Sequence, residues 1–163
     1  MEQPNKIRLF ALIKLPIIIV AFFVMRDDYY DIVLYFKEFD VMQNFSNLVS
    51  LIFTTQIVRW SAIMLIPLIG VFINKKVGWL FILSFYYLWI IYFIYFLFVA
   101  YKAQGKILSL GVIIVSLFFV AILNSYENSS ATYKIKKEEQ IKLNIAAFLI
   151  AAIEVALITS LNF

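Results

Sequence analysis

Long apolar runs, broken by short polar connections, set the pattern of this chain. Residues 7–25 read "IRLFALIKLPIIIVAFFVM", interrupted by Arg8, Lys14 and Pro16. Further runs cover 77–101, 107–124 and 143–161. An α-helix rises 1.5 Å per residue, so about 20 residues cross roughly 30 Å of hydrocarbon. Each of these four runs is predicted to be a spanning helix. A fifth, over 52–73, has a clean apolar stretch only at 60–73 and must take in Arg59 and Gln56 to cross fully. The connections "NKK" and "KAQGK" are tight, so the helices they join should be antiparallel neighbours.

Between the first two runs the pattern changes. In "RDDYYDIVLYFKEFDVMQNF", Ile32, Phe36, Phe39 and Met42 recur at helical spacing, while Asp27, Asp31 and Glu38 fall on another face. That is an amphipathic helix over 27–45, predicted to lie in the outer interface. Asp27 and Asp28 suit its N-terminal turn, where the helix dipole favours negative charge. Residues 125–142 are polar and charged, and read as a solvated cytoplasmic loop. The expected fold is all-α: one integral membrane domain over 1–163, a bundle of about five transmembrane helices plus one amphipathic interfacial helix.

Composition narrows the class. Apolar residues make up 64% of the chain and charged residues 15%, and mean hydropathy is +0.95. Soluble domains carry about 45–50% apolar and about 25% charged residues. A bilayer is the expected partner of such a surface. The net charge of +4 comes from lysines and arginines at the ends of apolar runs, so it does not mark a nucleic-acid binder. Lys6, Arg8, Lys75, Lys76, Lys134, Lys136, Lys137 and Lys142 would share one side with the N-terminus; Arg26, Lys37, Lys102 and Lys106 would lie on the other. This bias predicts a cytoplasmic N-terminus; the expected location is a bacterial inner membrane. The first run holds Lys14 and is followed by "RDDYYD" instead of a small-residue cleavage site, so it reads as a retained signal anchor.

The chain has no cysteine and no histidine, which excludes disulfides, Cys/His metal sites and imidazole catalysis. No cofactor or metal is expected. Nucleophile elbows, paired carboxylates within a span and glycine-rich phosphate loops are missing too, so no enzymatic activity is expected.

Candidate chemistry gathers at the intramembrane charges. Glu154 sits near the middle of the fifth run, and a carboxylate in an apolar medium has to be paired, wetted or neutral. Lys14 beside Pro16 is its predicted partner, with Arg59 as the competitor. Ala147, Ala151 and Glu154 form one stripe of that helix, and Ala152, Ala156 and Ser160 form another; small residues at this spacing let helices pack closely in lipid. The third run is dense in aromatics, whose buried hydroxyls need acceptors. Either packing or a pocket for an isoprenoid or quinone tail accounts for them. The expected function is non-catalytic binding of another membrane protein or a second copy, as an immunity protein or accessory subunit of a membrane complex. Span five and the outer surface around Asp27, Asp31 and Glu38 would carry it. The alternative is a small oligomeric channel or carrier that uses Glu154.

Overall fold

In hydrocarbon every backbone polar group must be satisfied within its own segment, which helices achieve. A computed structural model describes residues 3–39, 59–99, 103–125 and 132–159, and the secondary structure in them is helical. The five helices are α1 (Gln3–Phe39), α2 (Arg59–Phe72), α3 (Lys76–Val99), α4 (Ala103–Asn124) and α5 (Lys137–Thr159). Helices α3, α4 and α5 are long and apolar enough to cross a bilayer, and α2 is a shorter apolar helix. On this ground the chain is an integral membrane protein. The outward faces fit that medium: Phe98, Phe72 and Ile107 are 87%, 76% and 72% exposed, where water would penalise so continuous an apolar surface.

One element differs from the sequence pattern. The acidic segment, as far as Phe39, continues α1 instead of starting a new helix. No glycine or proline follows Pro16 in this 37-residue helix, so nothing terminates it, and it runs for about 55 Å, well beyond the hydrocarbon thickness. Asp27 and Asp28 therefore lie inside α1, not at a helix start. Residues 40–45 of the predicted amphipathic segment lie outside the described residues. The 14 described residues of α2 reach about 21 Å. Residues 52–58 of the span predicted there also lie outside the described residues.

The chain reverses between α2 and α3 in three residues. The amide of Ile73 bonds back to the Gly70 carbonyl, and that of Trp79 to Lys75. A Cβ on Gly78 would collide with the Ile73 carbonyl oxygen, and one on Gly70 would sit 2.7 Å from Cβ of Phe81. Glycine at both positions lets the two backbones approach closely.

Helix α3 is the centre of the bundle, packed against α2, α4 and α5. Its buried residues, among them Trp79, Ile82, Leu83 and Leu88, spread around the helix instead of forming one stripe. A helix apolar on all sides is what a central position requires. Helices α1, α3 and α5 run one way, and α2 and α4 run the other. Lys14 meets Val71 while Asp28 meets Ser61; Lys76 meets Glu139 while Tyr87 meets Asn144. One end of the bundle thus collects Asn74, Lys75, Lys76 and the start of α5. The opposite end carries Asp27, Asp28 and the start of α2.

Candidate functional site

The charged side chains of α1 hold the two ends of α2. An α-helix leaves its first N–H groups and last carbonyls without intrahelical partners, with partial positive charge at the start and negative at the end. The Lys14 ammonium donates to the Val71 carbonyl in the last turn of α2. It also donates to Asn74 Oδ1 at 3.2 Å. Two helical heptads further along α1, Asp28 Oδ2 accepts the backbone N–H of Ser61 at 3.1 Å, in the first turn of α2. A cation caps the negative end and an acid caps the positive end. This clamp satisfies groups at both ends of the described helix.

The predicted Lys14–Glu154 pair is not formed. Lys14 is 8% exposed and turned to the end of α2. Glu154 lies 15 residues along α5 from Glu139, which meets Lys76 at the Lys14 end of the bundle. At 1.5 Å per residue that puts Glu154 about 22 Å from Glu139, and neither of its oxygens has a hydrogen-bond partner among the described residues, so the amine does not bond it. The reason is the end of α2: its C-terminal carbonyls lie within reach of Lys14 and compete for the amine. Arg59 opens α2, and its side chain lies outside the described residues.

Glu154 is 4% exposed, and neither carboxylate oxygen has a hydrogen-bond partner among the described residues. It lies on the inner face of α5 with Ala147 and Ala151, both fully buried. The first small-residue stripe therefore serves packing inside the bundle. The second turns outward, with Ala152 half-buried and Ala156 exposed.

A polar network that sequence reasoning missed joins α3, α4 and α5. Asn144 exchanges bonds with Asn124, its amide reaching Asn124 Oδ1 at 2.5 Å and its oxygen accepting from Asn124 at 3.0 Å. Tyr87 Oη donates to Asn144 Oδ1 at 2.8 Å, and the Gln140 amide donates to the Asn124 carbonyl. Trp79 Nε1 donates to the Leu123 carbonyl at 3.2 Å. The last carbonyls of α4 are thus capped by side chains of α3 and α5. Asn124 and Asn144 close one apolar run and open another, a position where amides could have been read as a paired cap. Tyr87→Phe is expected to cost about 1 kcal/mol, the net value of one hydrogen bond. Thermal unfolding in detergent would measure it, and no change would show the bond to be worthless.

No family model matches the chain, and no curated protein or solved structure is similar to it.

What remains is geometry. Tyr86 Oη donates to the Ile13 carbonyl at 2.6 Å, next to the Leu12 carbonyl that Pro16 deprives of its usual donor. This supplies a backbone acceptor of the kind the buried tyrosines require. A cleft of about 690 Å³ opens sideways between α1, α3 and α4, walled by Phe85, Trp89, Phe93 and Phe119. Beside it at the acidic end lies a cavity of about 300 Å³ between Val24, Asp27, Asp28, Trp60, Trp89 and Tyr92. At the other end, about 500 Å³ is lined by Asn74, Lys75, Lys76 and the segment Tyr133–Lys134. Burial pushes the Tyr133 hydroxyl above its ordinary pKa, so it stays a neutral donor there. Asp31 is exposed, and the Glu38 side chain lies outside the described residues. No group of three or more acidic, His or Cys side chains able to hold a metal occurs among the described residues.

Proposed function

We propose that this integral membrane protein acts without catalysis, by binding another membrane protein or a second copy of itself through its outward faces. One observation supports this reading above the others: a set of polar side chains cross-links neighbouring helices. Lys14 and Asp28 hold α2, Tyr86 holds α1, and the Tyr87–Asn124–Gln140–Asn144 network ties α3, α4 and α5 together. Groups held in this way form a rigid frame instead of a polar route through the bundle. Recognition then falls to the faces turned to lipid, where the Ala152–Ala156 stripe offers close approach to a partner helix.

The absence of cysteine gives a clean test. Ala156→Cys in native membranes, treated with a bifunctional maleimide, is expected to yield one discrete cross-linked species whose mass names the partner. Ala147→Cys, buried in the bundle, should yield none. If Ala156→Cys and cysteines at the neighbouring outward positions Ile153 and Leu149 all remain uncrosslinked, the binding reading fails.

Glu154 supports a second reading, in which the chain moves a cation or proton. A buried carboxylate without a partner among the described residues is a functional candidate inside a membrane. Flux in reconstituted vesicles that Glu154→Gln abolishes would establish it, and vesicles without flux would remove it.

A further inference from the structure

We propose that the acidic-end cavity binds a small organic cation of the quaternary ammonium class through an aromatic box and two carboxylates. The box is a cluster of Trp60, Trp89 and Tyr92 packed against one another, which walls one side of the cavity. The two indoles are near-parallel, with ring centroids 6.2 Å apart and 17° between planes. The Tyr92 ring stands across both, at 88° to Trp60 and 87° to Trp89, with centroids 5.2 and 6.3 Å away. Together with Val24, Asp27 and Asp28 these rings line about 300 Å³, the lower end of the range for small-molecule sites. Faces of Trp and Tyr attract a cation by their quadrupoles, and tryptophan does so best.

The chemistry of the lining selects the kind of cation. A bare metal ion needs several oxygens arranged around it. Here both carboxylates already have partners: Asp28 accepts the Ser61 N–H, and Asp27 takes the Arg26 guanidinium at 2.7 Å. An alkylated ammonium needs no such shell. It carries its charge under methyl groups that pack on aromatic faces, and asks of a carboxylate only proximity. The Arg26–Asp27 pair is 46% and 63% exposed, so its mutual attraction is screened and easily exchanged. Asp28 is held in place by the α2 clamp, so the same hydrogen bond that closes α2 aims a negative charge at the box.

Two of the chain's three tryptophans line this cavity, which makes the protein its own reporter. The full chain in detergent would be titrated with tetramethylammonium chloride and, at matched ionic strength, with sodium chloride, following tryptophan emission and the thermal midpoint. Saturable emission change and a raised midpoint with tetramethylammonium alone are expected. Asp28→Asn keeps an acceptor for Ser61 and removes only the charge; it should weaken binding by roughly tenfold, the effect of about 1.4 kcal/mol. Tyr92→Phe keeps the ring and should bind as the parent does. An equal response to sodium, a response that does not saturate, or affinity unchanged in both Asp27→Asn and Asp28→Asn would overturn the proposal. Lipid nanodiscs separate the two sources of such a cation. Loss of tetramethylammonium binding in phosphatidylcholine discs, with retention in phosphatidylglycerol discs, would assign the box to a lipid headgroup. Retention in both would assign it to a free solute.

Discussion

Lys14→Met is expected to cost about 3 kcal/mol of stability, measured as unfolding in detergent. The ammonium satisfies two acceptors, the Val71 carbonyl and Asn74 Oδ1, at a position only 8% exposed. Leaving a buried acceptor without its donor costs about 1–3 kcal/mol, more when the lost bond was charge-assisted. The favourable interaction with the negative end of the α2 dipole is lost as well, at about 0.3–1 kcal/mol. Methionine matches the length of the lysine stem, so little of the loss comes from packing. Lys14→Arg retains charge and donors and should keep most of the stability. Because Lys14 and Asn74 touch, Lys14→Met and Asn74→Ala should be non-additive by at least about 0.5 kcal/mol. Additive behaviour of that pair would remove the C-terminal half of the clamp.

The clamp also shows why some of this protein was readable from its residues and some was not. Periodicity and length place α3, α4 and α5, because an apolar run that long has few other solutions in a membrane. The two small-residue stripes of α5 follow from spacing, but not which of them, that of Ala151 or that of Ala156, turns outward. Lys14 and Glu154 were recognisable as intramembrane charges, since few residue types are so costly in lipid. Their partners were not recognisable. A backbone carbonyl at the end of a helix leaves no mark in the sequence, so the competition of Val71 with Glu154 for the amine was invisible. The break between the first span and the acidic segment was inferred from a change of face, yet a helix ends only where a breaker or a cap ends it. None stands between Pro16 and Phe39. The box of Trp60, Trp89 and Tyr92 joins residues of different helices, and only the antiparallel packing of α2 on α3 brings them together.

Glu154→Met should move stability in the other direction, raising it by about 2 kcal/mol. Burying a polar group with no compensating bond costs about 1–3 kcal/mol on protein mutational scales, and replacing buried charged groups by apolar ones of like volume is often stabilising. Glu154 is 4% exposed with both oxygens unpartnered among the described residues, and methionine is close to it in volume, so no cavity is created. Combined with Lys14→Met, the two effects should add within about 0.5 kcal/mol, because Lys14 bonds the end of α2 and neither oxygen of Glu154 is bonded to it. Non-additivity would restore the direct pair that the geometry denies. A loss of stability in Glu154→Met alone would mean that the carboxylate has a partner in the folded protein. The same variant separates the two functional readings. A binding frame loses nothing when an unpartnered interior acid is removed, and cross-linking through Ala156→Cys should persist in a more stable molecule. A carrier gives up its titrating group for that gain, the trade expected wherever a costly residue is retained for activity. Stability gained with cross-linking intact supports the frame; stability gained with flux abolished supports the carrier.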